Sequence, residues 1–316
     1  MKNQIKLFDA IKSRIGNAQL VIQVAKCLEV SEDAAYRRIR GDKELSFTEI
    51  KKLSENFNVS FDTLMNINSP YRSLPYTFYN QDYFNMEDMD FRMSGDYLTA
   101  IREALKHSYS EFGFSTNTLT LHTRIFFQPI FRFFVLKWMY QFGGPDKVKP
   151  FSKIKPPALL IDHHTQYNDL VKKATYTFII FQESAIHSVI HDIKYFYDIH
   201  ILTDADLAEL KDTLATMLNY MEELTANGQF EDGGKIDFYS SGINMEASYS
   251  YLYSENVTIS MIDAFTVGAL SSTNPGTVKM MKDWMSSLKR ASTLLTGSER
   301  NKIAFFDKQW EYLKIL

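Results

Sequence analysis

A chain of 316 residues that is 45% hydrophobic and 23% charged holds enough apolar material for buried cores, two by length, and is not a disordered chain. Its single cysteine, Cys27, excludes an intramolecular disulfide and a cysteine-based zinc finger, and suits a reducing cytosol. The net charge of −3 is uneven: residues 1–69 carry 11 Lys and Arg against 9 Asp and Glu, and the remainder 24 against 29. A slightly basic end on an acidic body is compatible with one DNA-contacting domain.

The opening MKNQIKLFDAIKSRIG is interrupted by Lys2, Lys6, Asp9 and Lys12, so no signal peptide is expected. Four helices are predicted next. The first covers about residues 4–14, with Ile5, Phe8, Ile11 and Ile15 at helical spacing, and stops at Gly16-Asn17. The second covers 18–28 (Leu20, Val21, Val24, Leu28) and is followed by a turn at Glu29-Val30. Ser31 then reads as an N-cap, with Glu32 and Asp33 in the first turn complementing the helix dipole. Gly41 ends that third helix. The fourth follows Ser46, with Glu49 three residues on as a capping box and Ile50, Leu53 and Phe57 inward. A fifth, SFDTLM, is expected from Ser60. Residues 69–80, with two prolines and no periodicity, read as a linker.

The body, 81–316, reads as α+β. Expected are a helix over 96–110, an alternating strand over 117–127, a helix over 128–142 ending at Gly143-Gly144, and a basic proline-bearing loop over 147–157. Helices over 163–173, 182–199 and 203–226 follow. The polar stretch 228–235 stops them, and IDFYSSG, MEASYSYLY and VTISMIDAFTVGAL read as turn-punctuated strands. Helices over 275–290 and 298–314 close the chain. The predicted fold class is therefore an all-α helix-turn-helix domain (1–68) joined to a larger α+β domain with a small antiparallel sheet near its C-terminal half.

The segment VAKCLEVSEDAAYRRIRGDKELSFTEIKKLSENFNVSFDTLM (24–65) resembles the lambda-repressor-like helix-turn-helix family of bacterial and phage regulators. The resemblance rests on Ala25 in the second helix, Val30 after the turn, Ser31 as cap, Gly41 as stop, and the ending Val59, Ser60, Phe61, Asp62, Leu64. It covers about a fifth of the chain. It implies that the third helix enters the major groove of double-stranded DNA. Ala35 and Ile39 are expected inward, leaving Asp33, Tyr36, Arg37 and Arg40 outward. Arg37, Arg38, Arg40 and Lys43 form a cluster able to pair phosphates or guanine edges. Ser31 can donate to phosphate, and Glu32 or Asp33 can accept from cytosine N4. The expected DNA-binding set is thus Ser31, Glu32, Asp33, Tyr36, Arg37, Arg38, Arg40 and Lys43. Three positions depart from the family: Glu29 where a turn glycine is common, Val21 where a glutamine is, and Arg38 where an apolar residue is.

Other readings of the residues stay open. A helix-turn-helix also serves as a protein-interaction module without touching DNA. Glu183, His187 and His191 fall on one helical face, as two zinc ligands at i and i+4 do, with Asp162, His163 and His164 as further donors only if the fold brings them near. The chain has no Gly-rich phosphate loop and no G-x-S-x-G, so neither an enzyme nor a cofactor is expected. The most apolar windows are 125–142 and YTFIIF (176–181). Gln128, Pro129, Arg132, Lys137 and Gln141 mark the first as a core helix and not a membrane span. The same aromatic stretch is suited to lining an apolar ligand pocket. Phe305, Phe306, Trp310 and Leu313 give the last helix a core-covering or dimer-forming side. A cytoplasmic homodimeric regulator with a small-molecule effector and no membrane contact is the expectation.

Overall fold

The computed structural model describes residues 2–57, 59 and 76–316, without the side chains of residues 2, 3 and 13. The helix expected at 60–65 and residues 69–75 of the expected linker lie outside the described residues. The chain divides into two compact units, Met1–Tyr76 and Thr77–Leu316.

In the first unit, α1 (Lys2–Ile15), α2 (Asn17–Leu28), α3 (Glu32–Arg40) and α4 (Phe47–Asn56) enclose one core of Leu7, Phe8, Ile11, Leu20, Val24, Ala25, Leu28, Ala35, Leu53, Phe57 and Val59. The ends follow local chemistry. Glu29 closes α2 in the left-handed region at φ 55°, where a glycine would sit without strain, and its amide and that of Val30 satisfy the carbonyls of Lys26 and Ala25. The Ser31 side chain accepts from the Ala34 amide, and Gly41 closes α3 at φ 83°. Ser46 and Glu49 form a complete capping box on α4.

The second unit is built on one eight-stranded mixed sheet in the order β1-β7-β6-β5-β2-β3-β4-β8. The strands are β1 (Thr77–Tyr79), β2 (Ser110–Thr116), β3 (Tyr176–Gln182), β4 (Lys235–Ser241), β5 (Tyr249–Ser254), β6 (Thr258–Ala264), β7 (Gly268–Ser272) and β8 (Thr293–Leu294). β2, β3 and β4 run parallel to their neighbours within that trio, and the outer pairings are antiparallel. This corrects the expected small antiparallel sheet. Among the missed strands, β2 alternates only briefly around Phe112 and Phe114 and its polar residues are buried with the rest, while β3 holds an unbroken apolar run over 178–181, as strands covered on both faces do. The strand expected over 117–127 lies instead at 110–116, because Thr120 caps a helix, α6 (Leu121–Phe126). The helix expected to reach residue 110, α5 (Arg92–Ala104), ends earlier, ahead of the strand that starts at Ser110. Residues 77–79, read as linker, pair as an edge strand with β7.

Alternation along β3 separates two layers. Ile179 and Phe181 join the main core, with Phe112 and Phe114 of β2 and the helices α7 (Gln128–Gly143), α9 (Ala185–Asp198) and α10 (Asp204–Asn227). Phe178 and Ile180 pack with Val278, Met281, Met285 and Leu288 of α11 (Pro275–Arg290) on the opposite face. Gly113 in β2 lies under that second layer: a Cβ there would stand 2.4 Å from Cε1 of Tyr251 and 2.8 Å from Cζ of Phe178. Helices α8 (Ala158–Val171) and α12 (Glu299–Leu313) complete the main core, to which α12 supplies Phe305, Phe306 and Leu313, with Trp310 packed against them. Ser298 stands at the N-cap of α12 without a side-chain cap bond. No helix among the described residues is long and apolar enough to cross a membrane.

Candidate functional site

Two places carry unusual chemistry, one in each unit. The first is the outward face of α3. Ala35 is fully buried and Ile39 half-buried against the core, so the opposite side of the helix faces outward. Tyr36 is 49% exposed, and Ser31, Glu32, Asp33, Arg37, Arg40 and Lys43 are exposed. Arg40 lies 5.7 Å from the Tyr36 ring centre and 3.6 Å from Asp42. Among the described residues the side chains of Arg37 and Lys43 form no ion pair.

Arg38 is the exception and is a correction to the expected set. It is only 4% exposed. Its Nη1 donates to the Ala34 carbonyl, and Nε and Nη2 donate to Glu49 Oε1 at 2.9 and 2.7 Å. Glu49 Oε2 meanwhile accepts from the Ser46 amide. Burial raises the Glu49 pKa, but the Ser46 amide and the Arg38 guanidinium outweigh it and hold the carboxyl below its ordinary value. Position 38 is therefore filled by a long side chain whose charge is tied down inside the unit.

Gln4 has a similar part. Its Nε2 donates to the carbonyls of Arg38 and Lys43 at 2.7 and 2.8 Å, and its Oε1 accepts from the Leu45 amide at 3.1 Å. One amide thereby fixes the loop carrying Lys43 against the end of α3. A polar residue among the apolar positions of the first helix is the only signal in the sequence for it.

The second place is a cavity of about 150 Å³ in the second unit. Its wall comes from β1, α5, α6, α7, α8 and β6, and from the turn into β7, and is mainly aromatic, aliphatic and methionine side chains. The aromatic stretch 126–142 contributes only Phe131 to it; most of that stretch is core. The stacked rings of Tyr97 and Tyr167 form one side, with centres 5.8 Å apart. Burial pushes both hydroxyls well above their ordinary pKa.

At one end the buried Arg124 forms an ion pair with Asp263, which is partly open. Arg124 also donates from Nη1 to the Thr266 carbonyl at 2.7 Å, and its guanidinium lies 4.7 Å from the Phe134 ring centre. Its Nε has no hydrogen-bond partner among the described residues. Phe265 and Thr266 take left-handed backbone, at φ 49° and 70°, so Arg124 clasps a strained turn between β6 and β7. Burial raises the Asp263 pKa, and Arg124 pulls it only part of the way back.

At another side α8 brings His163 and His164 to the wall. His163 Nδ1 lies 2.7 Å from Ser94 Oγ. His164 packs edge-on against Phe131 at 4.7 Å, and burial lowers its pKa to about 4, so its ring is neutral near pH 7.

Two of the residues weighed as zinc ligands are engaged elsewhere. Glu183 pairs with Lys308 at 2.8 Å, and the His187 ring lies against Tyr312 at 4.5 Å. Among the described residues no three His, Cys, Asp or Glu side chains are grouped to hold a metal ion. No family profile, curated protein or solved structure matches the chain.

Proposed function

We propose that the chain is a cytoplasmic, sequence-specific DNA-binding transcription regulator of the lambda-repressor-like kind, acting as a homodimer, whose larger unit senses a small molecule or dimerises. The observation that carries this reading is the sorting of side chains around α3. Ala35 and Arg38 turn inward, while Tyr36, Arg37 and Arg40 are left exposed behind a capped N-terminus, with Lys43 held nearby. Arginines on an exposed short helix suit bidentate pairing with guanine in the major groove, and lysines suit phosphate. Glu32 and Asp33 are repelled by phosphate, so they restrict the helix tip to positions where a base donates. One such unit makes few phosphate contacts; two, spaced by about one helical turn of DNA, bind far more strongly. An effector that binds one arrangement of the dimer better shifts DNA affinity by that difference.

The test is titration of a fluorescent random-sequence duplex with the full chain at two salt concentrations. Binding that weakens steeply with salt supports the reading, and a folded protein that binds no duplex at low salt contradicts it. One feature favours a second reading, a partner-docking module: Phe47, the first residue of α4, is 80% exposed. Under that reading Phe47→Ser abolishes capture of the partner and leaves the Arg37→Ala variant indistinguishable from the parent.

A further inference from the structure

The cavity of the second unit has a wall of defined chemistry, and that chemistry selects a ligand. Arg124 and Asp263 are the only Arg, Lys, Asp or Glu side chains in the lining, and they neutralise each other. A charged ligand would therefore enter a low-polarity space with no free countercharge, which is strongly unfavourable. A purely apolar ligand would leave the polar end unsatisfied. There Arg124 is 3% exposed, and its Nε, which lacks an acceptor, is closed to water and so to a ligand. Asp263 engages Arg124 through Oδ2 while 24% of its side-chain surface stays open, and its Oδ1 takes part in no hydrogen bond among the described residues. One open carboxylate oxygen is what a single hydroxyl satisfies by donating to it. The free volume, about 150 Å³, is that of a cavity that accommodates one benzene ring.

We propose that this cavity binds an uncharged, mainly apolar ring compound bearing one hydroxyl, a small phenol or cyclic alcohol, with the hydroxyl donating to Asp263 and the ring among Tyr97, Tyr167, Phe131 and Met261. That such a molecule is the effector of DNA binding rests on the regulator reading above. Occupancy of the cavity does not.

The test is calorimetric titration of the full chain at pH 7, without DNA, with four probes of one shape: p-cresol, toluene, p-toluate and 4-methylbenzylammonium. The expected result is single-site binding of p-cresol, with toluene about tenfold weaker for the lost hydrogen bond and both ions at least a further tenfold weaker. Leu160→Trp, which fills the cavity from α8, abolishes p-cresol binding. Ala269→Leu, from β7, serves if the first variant fails to fold by circular dichroism. The proposal is overturned by any of three results: no probe binds, an ion binds as tightly as p-cresol, or a folded cavity-filling variant binds p-cresol like the parent. Equal binding of toluene and p-cresol overturns the hydroxyl assignment. Since no DNA is present, a negative result here leaves the DNA reading standing, and a failure to bind DNA leaves this one standing.

Discussion

Arg38 on α3 and Glu49 on α4 are joined twice, through Nε and Nη2 to a single carboxylate oxygen. The other oxygen of Glu49 caps α4. One carboxylate thus sets the position of α3 and the start of the next helix, and it removes one arginine from the outward face.

Glu49→Ala strands a buried guanidinium and deletes a cap. Stability should fall by about 3–5 kcal/mol, the usual effect of breaking one partner out of a buried pair, measured by urea unfolding of the full chain. Arg38→Met combined with Glu49→Gln removes both charges and keeps a cap-competent side chain. It should recover most of that loss. A double variant as unstable as Glu49→Ala would contradict a structural role for the pair.

Two buried histidines set a pH dependence. Burial lowers both His122 and His164 from 6.5 to about 4, assisted by Lys172 at the first and His163 at the second. Between pH 6.5 and 4 the unfolded chain takes up protons that the folded chain does not. Stability is therefore complete above the upper value and falls as pH drops through this window, by about 3 kcal/mol per histidine at full extent. Urea midpoints at pH 7.0 and 4.5 read the loss. His122→Gln should show a smaller difference between the two pH values, and an unchanged difference would contradict the assignment.

Gly113 is required by its neighbours and not by its own backbone. Gly113→Ala drives a methyl into the Tyr251 and Phe178 rings at the centre of the sheet. Destabilisation of about 1–3 kcal/mol is expected from overpacking. Thermal melting checks it, and Phe178→Leu in the same chain should relieve part of the loss.

What the sequence makes legible follows from where its signals are local. The ends of α2, α3 and α4 are written in adjacent residues: Gly16, Ser31, Gly41 and Ser46 with Glu49. The strands β4 to β7 are marked by turns. By contrast β2 offers only a short alternation around Phe112 and Phe114, with polar residues that are themselves buried, and β3 is apolar on both faces over 178–181, so periodicity marks neither as a strand. Arg38 reads as a surface cation because nothing local reveals Glu49 as its partner. Arg124 and Asp263 stand 139 positions apart, and only the crossing of α6 over the β6–β7 turn brings them together. The cavity is not legible in the sequence for that reason, while the outward side of α3, apart from Arg38, is legible from one helical turn to the next.

The proposal that the exposed cations of α3 read DNA is tested by fluorescence anisotropy with a duplex selected from a random pool by the full chain, set against a scrambled duplex. The parent, Arg37→Ala/Arg40→Ala and Arg38→Met/Glu49→Gln are compared at two salt concentrations. Expected are preference for the selected duplex, a steep loss with salt, at least tenfold weaker binding for the double alanine variant, corresponding to about 1–3 kcal/mol per lost base contact, and parent-like binding for Arg38→Met/Glu49→Gln. Equal affinity of the parent and the folded double alanine variant for the selected duplex would contradict it.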